Sequence, residues 1–304
     1  MKIIDLHCDT LHRIANTDGY TYLNNDGCIS ESRLLTGGYC AQCFAIYTPP
    51  DMNGKKAFEY FNSSLNLFHS QVAAAPHTMQ AVNAAEVKKA CSSRKVAALL
   101  TVENAEFLSG DLDRLQLLSD NGIRILGLVH NKENCLAYPA AEKNNLPLKP
   151  FGAEVVYALE NSDIYIDVSH LNEAGFWNLA QISHRPIIAT HSAAKALLEH
   201  RRNLSNEQIR AIAQSGGIIG VPFYGKFLNG TDSTTAEDII RHLRHLIKIG
   251  GKECAAIGTD FDGMTTRLFI KDASDMQIFA EALIKAFGFR VAEKICYKNA
   301  LKLL

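Results

Sequence analysis

The first residues of the chain that could do chemistry are a histidine and an aspartate two positions apart. Ile3 and Ile4 begin an apolar run that predicts a strand, and His7 and Asp9 lie at its end. Because side chains alternate across a strand, these two point to the same side. A neutral imidazole and a carboxylate at one strand end can share a metal ion. The metal-site interpretation of this pair becomes stronger only if other residues that can bind metal lie at the ends of neighbouring strands.

Further histidines and acidic residues do lie at the ends of other predicted strands. They are Glu103, His130, Asp167, His170, His191, Asp260 and Asp262. Each has an ordinary alternative, such as a helix cap for Glu103, a hydrogen-bonded rim position for His130, a buried structural acid for Asp167, or an Asp-Gly turn at 262–263. Taken together, several carboxylates buried at one rim are costly unless a cation compensates them.

The number of these ligands indicates more than one metal ion. Three histidines and three carboxylates exceed what one catalytic zinc ion takes. They suit two ions about 3.5–4 Å apart with a bridging carboxylate, which hold a hydroxide and polarise a carbonyl. The chemistry predicted is hydrolysis of an amide, ester or phosphoester. The Gly-x-Ser-x-Gly motif of many serine hydrolases is absent.

Eight short apolar segments are the predicted strands at whose ends these candidate residues lie. They cover residues 2–6, 39–46, 96–102, 123–129, 163–168, 186–190, 217–222 and 254–259. Near-continuous apolar runs are typical of parallel strands covered on both faces. Eight alternations of strand and helix predict a (β/α)8 TIM barrel of the metal-dependent hydrolase type, with residues 1–304 as a single domain. A doubly wound sheet is the alternative, but no Gly-x-Gly-x-x-Gly follows a strand.

Helical patterns lie between the predicted strands. They cover residues 57–74, 111–119, 207–214 with Ser205 as cap, a helix from Thr234 or Thr235 to Ile249, 274–287 and 290–303. The loops at 10–38, 131–151 and 223–233 are long. Because loops that follow barrel strands build the active face, these three are expected to form substrate walls or lids.

Composition excludes several classes of protein. The chain of 304 residues is 47% hydrophobic and 21% charged, with a formal net charge of −1, so neither disorder nor a nucleic-acid partner is indicated. No apolar run reaches about eighteen residues, so no membrane association is expected. The N-terminus lacks the pattern of a signal peptide, which predicts a cytoplasmic protein.

The eight cysteines are expected to be reduced, small buried hydrophobes. Cys40-x-x-Cys43 has the spacing of a zinc knuckle. In a strand, however, residues three apart face opposite sides, and no second pair follows.

The strand-end motifs resemble the membrane (renal) dipeptidase family of zinc peptidases, within the amidohydrolase-like barrels. The matching stretches are His7-Cys8-Asp9, Val102-Glu103 and residues 128–131, 167–170, 190–192, 201–204 and 258–263. They follow the order of the family and span almost the whole chain. The resemblance implies a dinuclear zinc dipeptidase in which a hydroxide between the metals attacks the peptide carbonyl.

The resemblance also implies a role for each residue. One Zn²⁺ would be held by His7, Asp9 and Glu103, with Asp260 close by, and the second by Glu103, His170 and His191. Mn²⁺ and Fe²⁺ remain open, since mixed sites take several metals. Asp260 would act as general base and then acid.

The substrate contacts implied by the resemblance lie on three other loops. His130 would donate a hydrogen bond to the carbonyl oxygen. Arg202, with Arg201 as the alternative, would pair with the terminal carboxylate of the dipeptide. Tyr224 is expected in the substrate pocket.

Two other functions stay open at this stage. One is a different metal hydrolase on the same barrel, such as a lactonase, a deaminase or a phosphotriesterase-like enzyme. The other is a non-catalytic binding protein, but that would predict a missing ligand and none is missing. A homodimer is the oligomeric state that the resemblance suggests.

Overall fold

The computed structural model describes residues 1–304 and is built around a curled, parallel sheet. Its strands are β1 (Ile3–Cys8), β2 (Tyr39–Tyr47), β3 (Thr78–Gln80), β4 (Val96–Glu103), β5 (Ile125–Gly127), β6 (Tyr165–Asp167), β7 (Ile219–Val221), β8 (Ser233–Thr234), β9 (Ala255–Ile257) and β10 (Arg267–Leu268). β8 and β10 form a separate pair. The long strands β1, β2 and β4 are buried almost throughout, which explains their near-continuous apolar sequences.

Thirteen α-helices surround or follow the strands. They are α1 (Thr10–Ala15), α2 (Glu31–Gly37), α3 (Gly54–Ala74), α4 (Ala84–Ser92), α5 (Gln116–Asp120), α6 (Pro150–Leu159), α7 (Glu173–Ile182), α8 (Asn206–Gln214), α9 (Gly225–Leu228), α10 (Ala236–Gly250), α11 (Met276–Phe287), α12 (Phe289–Glu293) and α13 (Asn299–Leu303). Short 3₁₀ segments lie at Ala105–Leu108, Leu112–Leu115 and Ala273–Asp275, and a π segment joins α12 to α13 at Lys294–Lys298.

Capping residues explain where two of the predicted helices begin. Ser205 and Gln208 form a capping box at the start of α8, and Thr235 forms one with Asp238 at the start of α10. Gly251 follows the last residue of α10. The prediction of both helices is therefore confirmed, and Thr235 rather than Thr234 is the cap.

The order of the strands confirms the predicted barrel. Neighbouring strands follow the order β6-β5-β4-β2-β1-β9-β7, and β3 pairs with the first three residues of β4. Parallel bridges from Asp167 to Ile188 and from Ala189 to Ile219 then join β6 to β7 through residues 187–190. The sheet therefore closes on itself, which excludes the doubly wound alternative.

The predicted sixth strand, residues 186–190, is wrong as a regular strand. It makes only the two isolated bridges just described. Pro186 has no N–H to donate, and the N–H groups of Thr190 and His191 donate to the side chains of Asp167 and Ser169 instead of a neighbouring strand. The N–H groups of Ile188 and Ala189 still donate to the carbonyl oxygens of Ile166 and Ile218, so the segment keeps its place in the barrel beside β6 and β7.

The cysteine prediction needs one correction. Cys40 at the start of β2 and Cys91 near the end of α4 form a disulfide, whereas the other six cysteines are free. The two residues are 51 positions apart, so only the packing of α4 against β2 brings them together. None of the helices combines the length and the apolar character that a bilayer crossing requires.

Candidate metal centre

The first group of candidate ligands follows β1 and β9, and a buried aspartate holds these two strand ends together. Asp5 in β1 accepts hydrogen bonds from the backbone N–H and the hydroxyl of Thr259, at 2.9 and 2.7 Å, and from the N–H of His7. The neighbouring Asp260 has a φ of 64°, a strained value for a residue with a side chain. Asp5 therefore fixes the position of His7 relative to Asp260.

Glu103, the last residue of β4, lies in the middle of the ligand set. Its Oε1 lies 3.0 Å from Nε2 of His170 and 3.4 Å from Nε2 of His191, while its Oε2 lies 3.8 Å from Nε2 of His7. The same His7 nitrogen is 3.4 Å from Oδ2 of Asp9 and 3.9 Å from Oδ1 of Asp260. The structure thus brings all six predicted ligands to one place, with Glu103 between two groups.

Hydrogen bonds fix the tautomer of His191. The hydroxyl of Thr190 donates to Oδ2 of Asp167 at 2.5 Å, so its oxygen accepts from Nδ1–H of His191 at 2.9 Å. A neutral imidazole carries one proton, so Nε2 of His191 keeps a free lone pair. Asp167 is therefore a buried acid that orients a candidate ligand through Thr190.

His170 is oriented in the same way by a different loop. Its Nδ1 lies 3.1 Å from Oδ1 of Asn131, an acceptor, so Nδ1 carries the proton. Its Nε2 lies 2.9 Å from Nε2 of His191. Two lone pairs that face each other at this distance repel, and both also face Glu103. This arrangement favours a bound cation.

Burial and charge determine the protonation of the acidic groups in the cluster. Burial raises the pKa of Asp260 to about 7, although His7 opposes the shift. Burial and the nearby carboxylate of Asp9 hold the pKa of Glu103 well above its usual value. The centre therefore concentrates carboxylates that are hard to ionise together without a compensating positive charge.

The pKa values of the histidines in the centre shift in two opposite directions. Burial lowers the pKa of His130 to about 3 and holds that of His170 and His191 well below the usual value. Burial acts on His7 too, but the carboxylates of Glu103 and Asp9 outweigh it and raise the pKa to about 10. In the absence of metal, His7 therefore supplies the positive charge among the carboxylates.

The residues present fit a pair of metal ions. Three sets of three donors lie within 4.8 Å of one another: His7, Asp9 and Glu103; Glu103, His170 and His191; and His7, His191 and Asp260. Nε2 of His7 is buried and has no hydrogen-bond partner. An unpaired buried nitrogen is costly, and coordination of a metal would remove that cost.

A cavity of about 380 Å³ opens over the candidate ligands. Its wall contains the predicted residues Asp9, Glu103, His130, His170, Tyr224 and Asp260. Nδ1 of His130 is buried without a partner. Tyr224 stands at the edge, with its ring centroid 4.7 Å from that of Phe227. All of these side chains face the space where a substrate would bind.

The two arginines are in different surroundings. Arg202 is buried, its guanidinium lies 5.3 Å from the ring centroid of Phe227, a residue of the cavity wall, and its Nε has no partner. Arg201 is exposed and its Nη1 donates to the carbonyl oxygen of Ala141 at 2.6 Å. Neither lines the cavity directly. Arg202 is nevertheless the one with an unused donor next to the wall.

The sequence predictions missed several residues of the cavity wall. These are His12, Tyr47, Phe227, Met264 and Thr265, whereas Asn131, Asp262 and Gly263 lie in stretches that the sequence analysis had already singled out. Tyr47 ends β2, so the rule that strand ends carry the site would have found it. His12 lies in α1, in a loop region that was expected to form a wall. Phe227 lies in α9, within the 223–233 segment that was also expected to form a wall. Met264 and Thr265 follow β9 in a loop that no sequence pattern indicated.

Comparison with known families agrees with this geometry. A family model described as membrane dipeptidase, peptidase family M19, matches residues 1–304. A relative from Klebsiella pneumoniae, described as an uncharacterized protein in the pqqA 5′ region, is 31% identical over 235 residues, which cover 73% of this chain and 86% of the relative. A Schizosaccharomyces pombe protein described as an uncharacterized dipeptidase is 31% identical over 176 residues, covering 56% of this chain and 42% of that protein.

Two solved structures are similar over the full length of the chain. One is described as a dipeptidase, a metallopeptidase of family M19, with a TM-score of 0.93 and 27% identity, covering 100% of this chain and 97% of the other. The second is a metallopeptidase from Rhodobacter sphaeroides with a phosphinate mimic of the dipeptide L-Ala-D-Ala bound. Its TM-score is 0.92 at 26% identity, and the match covers 100% of this chain and 98% of the other.

Proposed function

Because the chain belongs to the membrane dipeptidase family, peptidase family M19, we propose that this metallo-dipeptidase hydrolyses dipeptides at a centre of two zinc ions. The observation that carries the proposal is the convergence of His7, Asp9, His170, His191 and Asp260 around Glu103. The free lone pairs on Nε2 of His170 and His191 support the proposal, because the neutral imidazole is the form of histidine that binds a metal ion.

The ligands divide into two sets that share one carboxylate. His7, Asp9 and Glu103 would hold one ion, and Glu103, His170 and His191 the other; Mn²⁺ or Fe²⁺ would also suit these donors. Such a pair would supply a hydroxide nucleophile and a Lewis acid for the peptide carbonyl.

Asp260 and His130 are placed for the proton transfer and for the developing charge. In the protein without metal, burial raises the pKa of Asp260 to about 7, and in the proposed mechanism this carboxylate would take up a proton and return it to the departing amine. His130 is uncharged at neutral pH, because burial lowers its pKa to about 3, and a neutral imidazole carries one N–H to donate to the carbonyl oxygen. Both residues line the cavity.

Arg202 would bind the carboxylate at the C-terminal end of the dipeptide. It stays cationic, since burial lowers its pKa only to about 10. Its Nε is buried and unpaired, and its guanidinium lies against Phe227, a residue of the cavity wall. Tyr224 would contact the substrate from the same side of the cavity.

A substrate panel tests the proposal. Zinc-loaded protein is incubated with free dipeptides, a lactone, a phosphotriester and an aminopurine, and the released products are measured. We expect hydrolysis of dipeptides alone, and a loss of about a thousandfold in kcat on Asp260→Asn, as for removal of a proton-transfer group. Hydrolysis of the lactone or phosphotriester without cleavage of dipeptides would favour the alternative hydrolases of the same barrel.

Three further expectations from the sequence stay predictions. They are the organisation of residues 1–304 as one domain, the cytoplasmic location and the homodimer. Gel filtration of the purified chain against standards of known mass would measure the last of these.

A further inference from the structure

His12, in α1, is a polar residue of the cavity wall to which the proposed dipeptidase mechanism gives no task. It is half-buried, and its ring meets that of Tyr47 edge to face, with 4.9 Å between centroids. The Tyr47 ring meets that of His130 at 4.8 Å. His12, Tyr47 and His130 therefore form a row of rings along the cavity wall.

Two neighbours fix the tautomer of His12. The amide nitrogen of Asn16 donates to the carbonyl oxygen of His12 at 2.8 Å, which sets the orientation of that amide, and the same nitrogen lies 3.2 Å from Nδ1 of His12. The hydroxyl of Tyr60 is 3.0 Å from Nδ1 as well. An amide nitrogen can only donate, so Nδ1 is the acceptor and Nε2 carries the proton. Nε2–H has no partner in the protein, and His12 lines the cavity.

The position of His12 around the barrel indicates which part of a dipeptide it meets. His12 lies in α1, which follows β1, and its ring contacts Tyr47 at the end of β2, whereas Arg202 follows residues 187–190. Four steps around the barrel separate β2 from that segment in either direction, and three or five steps separate β1 from it. The two side chains therefore lie far apart around the mouth of the barrel. A dipeptide whose carboxylate is bound by Arg202 places its N-terminal residue toward His12.

We propose that His12 is a specificity-determining residue that donates Nε2–H to an acceptor in the side chain of the N-terminal residue of the substrate. The inference rests on the proposed dipeptidase function. It assigns the substrate class as dipeptides that begin with a short amide or carboxylate side chain, such as asparagine or aspartate. An apolar side chain of the same size would leave the N–H unpaired, and discrimination follows because an unpaired, partly buried donor is unfavourable.

The test compares asparaginyl-alanine with leucyl-alanine, whose first side chains have similar size and branching. For zinc-loaded protein, kcat/KM is measured on both dipeptides, and their ratio is the readout, so that differences in folded fraction cancel. His12→Met and His12→Gln are a matched pair, because the two side chains have similar length and only Gln carries an N–H donor. We expect the ratio to fall about tenfold in His12→Met and to stay within about threefold of wild type in His12→Gln.

The outcomes separate this inference from the function on which it rests. Equal ratios for the Met and Gln variants, or a wild-type ratio in His12→Met, would overturn the role of His12 while dipeptide cleavage stands. If the zinc-loaded wild-type protein cleaves neither dipeptide, both the dipeptidase proposal and the role of His12 fail.

Discussion

The partners of the imidazoles decide what the candidate centre can do. His191 is set by Thr190 and Asp167, and His170 is set by Asn131, so both rings present an unprotonated Nε2 to Glu103. Such outer contacts orient ligands and raise their basicity. The possibility that Asp167 is a buried structural acid agrees with its hydrogen bonds, which all lead to the backbone or to Thr190 rather than into the cavity.

Arg202 and Arg201 provide a matched pair of neighbouring cations. Because Arg202 is buried beside the cavity wall, Arg202→Ala should raise KM for free dipeptides by about 10–100-fold, the usual size of a lost charge-assisted hydrogen bond. Arg201→Ala should change KM less than twofold, since Arg201 is exposed and bonded to a backbone carbonyl. Steady-state kinetics on one dipeptide measure both.

A dipeptide amide serves as the control for this pair. It lacks the terminal carboxylate, so Arg202→Ala should hardly change its KM. A larger effect of Arg201→Ala than of Arg202→Ala on the free dipeptide would move the carboxylate contact to Arg201.

Strands and helices were predictable to the extent that their residues point into an apolar core. The buried runs of β1, β2 and β4 gave the strand positions, and the strand ends gave all six ligands. Residues 186–190 have the apolar sequence of a strand, but the N–H groups of Ile187 and Thr190 donate to the side chains of Ser215 and Asp167, which are remote in sequence. The short strand β3 and the Cys40–Cys91 disulfide depend on long-range packing, which no local pattern records.

The turn after β9 makes a close approach that only glycine permits. A Cβ added to Gly263 would overlap Oδ2 of Asp9 and lie 3.0 Å from Oδ1 of Asp260. Gly263→Ala should therefore displace Asp9 and weaken the metal held with His7 by at least about tenfold, while the metal at His170 and His191 is retained. Competition of the purified variant with a chromogenic chelator measures both affinities. If neither metal affinity changes in Gly263→Ala, the turn can adjust to the added methyl group without displacing Asp9, and the prediction is wrong.

Several carboxyl groups are buried together at one end of the barrel, so the stability of the metal-free protein should depend on pH. The folded pKa of Asp260 is about 7 against an ordinary 3.8, and that of His7 is about 10 against 6.5. Both groups bind more protons when the chain is folded, so the free energy of unfolding falls as pH rises, between about 4 and 7 for Asp260 and between 6.5 and 10 for His7. His130, with a folded pKa of about 3, acts oppositely, but only below its ordinary 6.5.

Calorimetry of chelator-treated and zinc-loaded protein tests this pH dependence. Between pH 6.5 and 9 the Tm of the metal-free protein should fall steadily, and zinc should raise the Tm more at pH 9 than at pH 6.5, because metal replaces the missing protons. A metal-free Tm that is constant or rises over this range would contradict the charge distribution described for the centre.

The metal content of the purified protein tests the paired-ion centre most directly. Atomic emission spectrometry on zinc-saturated, gel-filtered samples should give two equivalents per wild-type chain and one for His170→Ala, because this variant removes a ligand of one ion and leaves His7, Asp9 and Glu103 in place. One equivalent in the wild type, or two in His170→Ala, would contradict a centre in which Glu103 joins two metal ions.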